Sequence, residues 1–281
     1  MNKKNNTFTG TGVALITPFR KDDRIDFSKL ERVIDHIING GANFIVALGT
    51  TSEAATMTDT ERATLKDYIV EYVNGRIPIM LGLGGNNTLA VTDTINKTNF
   101  DGISGILSVT PYYNKPQQRG LIQHFRTIAE VAPVPIMLYN VPGRTSCNLT
   151  AESTLQLAEE CPNIMGIKEA SGNLTQIMEI LRNKPANFNL LSGDDALTYS
   201  MIGLGATGVI SVIANALPQE MSQMVSYAMK GDNKKALELS DDDVMHDGFF
   251  LDFNVQGVVY ENLPSGLKLQ EHEDQWPQDN Q

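Results

Sequence analysis

The chain has 281 residues, 41% of them apolar and 20% charged, which is enough to bury a full core, and α/β barrels commonly reach this length as one domain. A formal net charge of −11 argues against nucleic-acid or membrane partners, because phosphate-rich surfaces would repel it. Two cysteines, Cys147 and Cys161, are too few for a disulfide framework and match no metal-ligand spacing, so a reducing compartment is the simpler reading.

Residues 1–9 carry Lys3 and Lys4 with no apolar stretch behind them, so no signal peptide is expected. No later run approaches membrane-spanning length, and the expected location is the cytoplasm. Short apolar, β-branched runs then alternate with longer stretches of helical period, the pattern of βα units on a parallel sheet. Strands are expected at residues 13–17, 44–48, 78–82, 105–109, 135–140, 164–168, 189–192 and 208–212. Eight is the number that a closed parallel barrel requires, so the fold expected is an α/β (β/α)8 TIM barrel. An open doubly wound sheet is the alternative, weakened because no strand leads into a dinucleotide fingerprint. Thr58-Asp59-Thr60-Glu61 is a capping box that starts a helix through Leu65, Ile69 and Val73, with Gly75 closing it. The catalytic barrel is expected over residues 1–215, a shortened or divergent C-terminal helical segment over 216–260 and a polar tail over 261–281. Asp241-Asp242-Asp243 reads as a solvated face or helix end.

In such a barrel the reacting groups stand at the C-terminal strand ends. Gly49-Thr50-Thr51-Ser52-Glu53 follows the second strand and offers hydroxyls and amides to a carboxylate, or else simply caps a helix. Gly82-Leu83-Gly84-Gly85-Asn86-Asn87 lacks the spacing and the lysine of a phosphate loop and reads as a βα turn. Thr110-Pro111-Tyr112-Tyr113-Asn114 sets two phenols at the rim, for chemistry or for packing at a subunit interface. Tyr139 ends the fifth strand, where a phenol can shuttle protons or stand in water. Arg144, in the turn that follows, suits a bidentate grip on a carboxylate or a surface ion pair.

Lys168 closes Ile164-Met165-Gly166-Ile167-Lys168, and two-residue alternation puts Ile164, Gly166 and Lys168 on one face. Burial at the top of an apolar strand disfavours the charged ammonium and supplies the neutral amine that attacks a ketone. Snorkelling from the rim is the alternative. Ser192-Gly193-Asp194-Asp195 pairs two carboxylates, but an Asp after a strand commonly caps the next helix. His36, His124, His246 and His272 form no ligand motif, so neither a metal nor any other cofactor is expected.

Together, Gly49-Thr50-Thr51, Pro111-Tyr112-Tyr113-Asn114, Tyr139-Asn140-Val141-Pro142-Gly143-Arg144-Thr145, Gly166-Ile167-Lys168-Glu169 and Leu191-Ser192-Gly193-Asp194 resemble the dihydrodipicolinate synthase (4-hydroxy-tetrahydrodipicolinate synthase) family, within the N-acetylneuraminate lyase and class I aldolase superfamily. The resemblance runs from about Phe8 to Ala236. It implies a lyase that condenses pyruvate with L-aspartate 4-semialdehyde to 4-hydroxy-tetrahydrodipicolinate in lysine biosynthesis. It further implies Lys168 as the Schiff-base residue, Tyr139 as proton donor and acceptor, and Thr50 and Tyr113 as the rest of the relay. Thr51, Ile210 and the Gly193 carbonyl would line the pyruvate pocket, and Arg144 would receive the semialdehyde carboxylate. The family's tyrosine at the Tyr113 position reaches in from a neighbouring subunit, so a homotetramer or homodimer is implied.

Three departures accompany the resemblance. Ser52 replaces a usual glycine and would cost on the order of 1 kcal/mol if that position needs positive φ. Ala54, Asp59, Arg62 and Ala90 stand where lysine-sensitive members place polar or acidic ligands, which implies weak or absent lysine inhibition. Residues 249–254 still resemble the family's C-terminal helices, but Val255 replaces a Pro and the pattern dissolves after Tyr260. Two other functions stay open at this point: a related sugar-acid lyase, disfavoured by Arg144 and the Tyr112-Tyr113-Asn114 run, and a catalytically weakened barrel that acts as a binding protein.

Overall fold

The computed structural model describes residues 7–240. Its strands are β1 (Gly10–Ala14), β2 (Phe44–Ala47), β3 (Ile79–Gly82), β4 (Gly105–Val109), β5 (Ile136–Asn140), β6 (Ile164–Glu169), β7 (Asn189–Ser192) and β8 (Gly208–Ser211). They form a closed parallel barrel in sequence order, with β8 paired back to β1 through Gly10↔Gly208 and Gly12↔Ile210. The fold is therefore a (β/α)8 TIM barrel, and the open-sheet alternative fails because β8 closes on β1 and leaves no unpaired strand edge among the described residues.

The helices are α1 (Phe27–Asn39), α2 (Asp59–Val73), α3 (Thr88–Lys97), α4 (Gln118–Val131), α5 (Pro142–Thr145), α6 (Ala151–Glu160), α7 (Leu174–Asn183), α8 (Thr198–Gly203), α9 (Pro218–Lys230) and α10 (Asn233–Ser240). At the start of α2 the Thr58 hydroxyl accepts from the Glu61 N–H while the Glu61 carboxylate accepts from the Thr58 N–H, so both partners of the capping box are present. Asn74, at φ 46°, turns the chain out of α2 one residue ahead of Gly75. Helix α9 follows β8 and packs on β1 and β8 between α1 and α8, and α10 packs on α9, whereas Asp241-Asp242-Asp243, residues 249–254, Val255 and the 261–281 tail lie outside the described residues.

Seven strands fall within one residue of their expected ends, but β1 starts earlier than the apolar pattern suggests. A Cβ at Gly12 would lie 2.2 Å from the Phe44 ring, so the close approach of that ring requires glycine in a strand. The apolar run beyond β1 leaves the ladder because the Ile16 N–H is taken by Asn215 Oδ1 at 3.1 Å.

Alternation along the strands divides the core in two. One layer, including Ile45, Ile79, Leu81, Ile106, Ile136, Leu138 and Ile167, packs between sheet and helices. The other fills the barrel with Phe8, Phe44, Val46, Met80, Leu107, Met137 and Leu191. Phe8 and Phe44 meet edge-to-face at 5.1 Å and plug the N-terminal end. Strand β6 carries one extra residue: Ile136 pairs with Ile164, but Met137 pairs with Gly166. Met165 therefore turns toward the interior and Ile164 packs in the outer layer, not on the face of Gly166 and Lys168 as simple alternation indicated.

Candidate active site

The bulge in β6 sets the site, because it brings Lys168 into register with Tyr139 on β5. Lys168 is 5% exposed, and its Nζ sits 4.4 Å from the centre of the Tyr139 ring. The amine makes no hydrogen bond or ion pair with a described residue, so the ring face is the contact that holds it. A rim lysine extended into water, the competing expectation, is not what the fold builds. Space for the side chain comes from Gly193 just after β7, where a Cβ would lie 2.8 Å from Lys168 Cε. Ile210 of β8 is buried and belongs to the barrel interior with Tyr139.

Asp194 and Asp195 divide their labour. An Asp194 carboxylate oxygen accepts from the Leu197 N–H at 3.3 Å in a local turn, but the cap expected from the sequence is not formed, because the N-cap of α8 is Leu197 and carries no side-chain bond. The Asp195 carboxylate instead accepts from the Val212 and Ile213 N–H groups at 2.8 and 2.9 Å, fixing the turn after β8. Burial pushes the Asp195 carboxyl up, against opposing pulls from those amides, from Ser211 and from the positive charge of Lys168.

Thr50 and Thr51 lie in a 3-10 turn, Thr50–Ser52, directly after β2. Ser52 does not take a positive φ, so the condition under which serine would cost stability there is not met; the left-handed residues of this segment are Leu48 (φ 56°) and Glu53 (φ 59°). Ser52 is buried, and its hydroxyl donates to the Gly49 carbonyl at 2.7 Å, so the serine closes the turn. Burial raises the Glu53 carboxyl. Tyr113 stands at φ 74° and 85% exposed in the loop after β4, directed away from its own barrel core. Arg144, in α5, is exposed, and its guanidinium has no hydrogen-bond or ion-pair partner among the described residues. The fold thus brings Lys168, Tyr139 and Gly193 into contact, with Ile210 in the same interior. Thr50, Thr51, Tyr113 and Arg144 stand on the loops above the C-terminal strand ends without a hydrogen bond to Lys168 or Tyr139.

Behind this pair lies a polar cluster to which motif reading assigned no role. Glu169 is fully buried, and its carboxylate accepts from Asn140 Nδ2 at 3.1 and 3.2 Å, the Ser171 N–H at 2.8 Å and Gln176 Nε2 at 3.0 Å. Burial raises the Glu169 carboxyl, and these donors pull it back. The alternation that sends Lys168 inward sends Glu169 and Asn140 outward, where a buried charge demands donors.

A lysine amine buried against a tyrosine at the C-terminal end of a (β/α)8 barrel is the arrangement that a class I, Schiff-base aldolase-type lyase requires. Residues 7–271 match the dihydrodipicolinate synthetase family, reaching past Ala236, where the motif resemblance stopped. The 4-hydroxy-tetrahydrodipicolinate synthase of Phocaeicola vulgatus is 51% identical over 230 residues, 82% of this chain and 77% of that protein. The crystal structure of the Aquifex aeolicus dihydrodipicolinate synthase is 37% identical with a TM-score of 0.88, covering 94% of this chain and 90% of its own. A chloride-inhibited dihydrodipicolinate synthase from Acinetobacter baumannii, complexed with pyruvate, is 35% identical with a TM-score of 0.84, covering 95% and 94%. The chain belongs to the dihydrodipicolinate synthetase family.

Proposed function

We propose that the chain condenses pyruvate with L-aspartate 4-semialdehyde to give 4-hydroxy-tetrahydrodipicolinate, on the route to diaminopimelate and lysine. The observation that carries this reading is the buried Lys168 amine against Tyr139, in a chain whose relatives bear the synthase name. The neutral amine attacks the pyruvate ketone, and Tyr139 moves the protons by which the carbinolamine loses water. Loss of a C3 proton gives an enamine, which attacks the aldehyde carbon to form the new carbon–carbon bond. The amino group of the second substrate then displaces Lys168 from the imine carbon, closing the ring and returning the free amine.

Thr50 and Tyr113 complete the proton relay, Thr51, Ile210 and the Gly193 carbonyl line the pyruvate pocket, and Arg144, whose guanidinium is unengaged among the described residues, receives the semialdehyde carboxylate. The exposure and left-handed backbone of Tyr113 suit a side chain that enters the site of a second copy, so the working unit is a homodimer or homotetramer. Arg62 already donates to the Ala54 and Met57 carbonyls and pairs with Asp59, which supports weak or absent lysine binding there. The chain acts in the cytoplasm, consistent with two free, buried cysteines. Turnover of pyruvate with aspartate 4-semialdehyde, and none with N-acetylmannosamine, is the expected assay result. Turnover with the sugar alone would overturn the substrate assignment.

A further inference from the structure

The stretch from Asn140 to Leu149 leaves the top of β5, carries Arg144 at its crest and returns to α6. Its two ends are tied by one side chain: Asn140 Oδ1 accepts from the Leu149 N–H at 2.9 Å. That bond exists only if the Asn140 amide is oriented with its NH2 on the opposite side. Glu169 enforces the orientation, because a carboxylate only accepts and both its oxygens face Asn140 Nδ2. Asn140 Nδ2 also reaches Asn148 Oδ1 at 2.9 Å, and Asn148 Nδ2 donates to Gln176 Oε1 at 2.9 Å. Gln176 Nε2 in turn donates to Glu169 and to the Leu149 carbonyl at 3.2 Å. The ring Glu169–Asn140–Asn148–Gln176 is therefore closed, and every amide in it has its direction set by the one acceptor-only group. Lys168 is held differently, by the Tyr139 ring and the space over Gly193 on the inner face.

Building on the condensation reading above, we propose that Glu169 is a positioning residue: from behind the sheet it fixes the Arg144 excursion over the Lys168–Tyr139 pair and so sets how well the carboxylate of the second substrate is held. Replacing Glu169 by Gln leaves one acceptor where there were two and sets an NH2 against Gln176 Nε2 or the Ser171 N–H, so the amides of the ring cannot all keep their directions and the Asn140 tie to Leu149 is weakened. The inner-face contacts of Lys168 are left in place.

The test is steady-state kinetics on the full chain with both substrates varied, for the wild type, Glu169→Gln, Arg144→Ala and the double variant. The expected result is a KM for aspartate 4-semialdehyde raised about tenfold in Glu169→Gln, with the KM for pyruvate within about twofold of wild type. In the Arg144→Ala background the same substitution should change the semialdehyde KM by less than about twofold, because both act on one contact. Equal rises in both KM values, a fall in kcat alone, or an undiminished effect without Arg144 would overturn the proposal. If Glu169→Gln does not fold, Asn148→Ala, which cuts the ring at a half-buried member, is expected to show the same split at smaller size; unchanged KM values there would also overturn it. A wild type that is inactive with both substrates removes the condensation reading and this inference together. An active wild type without the split removes the inference alone.

Discussion

The two faces of the β5–β6 pair are furnished in opposite ways. On the inner face, Tyr139 and Lys168 touch only through a ring and an amine, and the Lys168 nitrogen has no hydrogen-bond partner among the described residues. On the outer face, one residue further along each strand, Asn140 and Glu169 belong to a ring of bonds in which every oxygen of the buried carboxylate is satisfied. A nucleophile must be free to change partners, and a scaffold must not. Alternation in two neighbouring strands lets one sequence supply both, and the bulge at Met165 brings the two faces into register.

The largest effect expected on the inner face comes from Tyr139→Phe, which removes the proton-carrying oxygen and leaves the ring. It should lower kcat on the order of 10²–10⁴-fold and slow, without abolishing, formation of the Lys168 adduct with pyruvate. Unchanged kcat would assign the relay to another group. Gly193→Ala is next: its methyl carbon would lie 2.8 Å from Lys168 Cε, so the amine must move. A fall in kcat/KM of about 10- to 100-fold is expected, and wild-type kinetics would show that the position of Lys168 is not critical.

The smallest effect lies in the helix layer, where His124 of α4 is the counter-example to the saturated ring. Its Nδ1 is 2.8 Å from Thr88 Oγ1, but its buried Nε2 has no partner among the described residues. Burial pushes its pKa down to about 4. The unfolded chain takes up this proton near pH 6.5 and the native protein only near pH 4, so stability is lost as pH falls through that window. The loss from this group is roughly 2 kcal/mol between pH 7 and pH 5. Denaturant titrations at the two pH values should show an acid loss smaller by that amount in His124→Gln. An equal loss in the variant would show that His124 does not govern it.

The barrel was legible because period-two and period-3.6 apolar patterns alternate cleanly, and the strand ends then pointed to Lys168 and Tyr139. The start of β1 was not legible, since Gly12, dictated by the neighbouring Phe44 ring, and Gly10, set against Asn43, carry no apolar signal. Neither was the bulge in β6, because one extra residue leaves composition unchanged and reveals itself only through pairing. Whether Ser52 takes a positive φ was not legible for a related reason: the left-handed turn falls one residue later, at Glu53, and only backbone geometry separates the two positions. Glu169 was in view inside a recognised motif, yet its partner Asn140 sits on the preceding strand, and Asn148, which links Asn140 to Gln176, comes from the loop between those strands, so the ring converges only through folding.

Everything chemical here depends on the Lys168 amine capturing a ketoacid. Borohydride reduction of the folded protein in the presence of pyruvate, followed by peptide mapping, tests this at one residue. A single reduced pyruvate adduct on Lys168, absent from Lys168→Ala, is the predicted result. An adduct on another lysine, or none in folded protein that still turns over substrate, would contradict it.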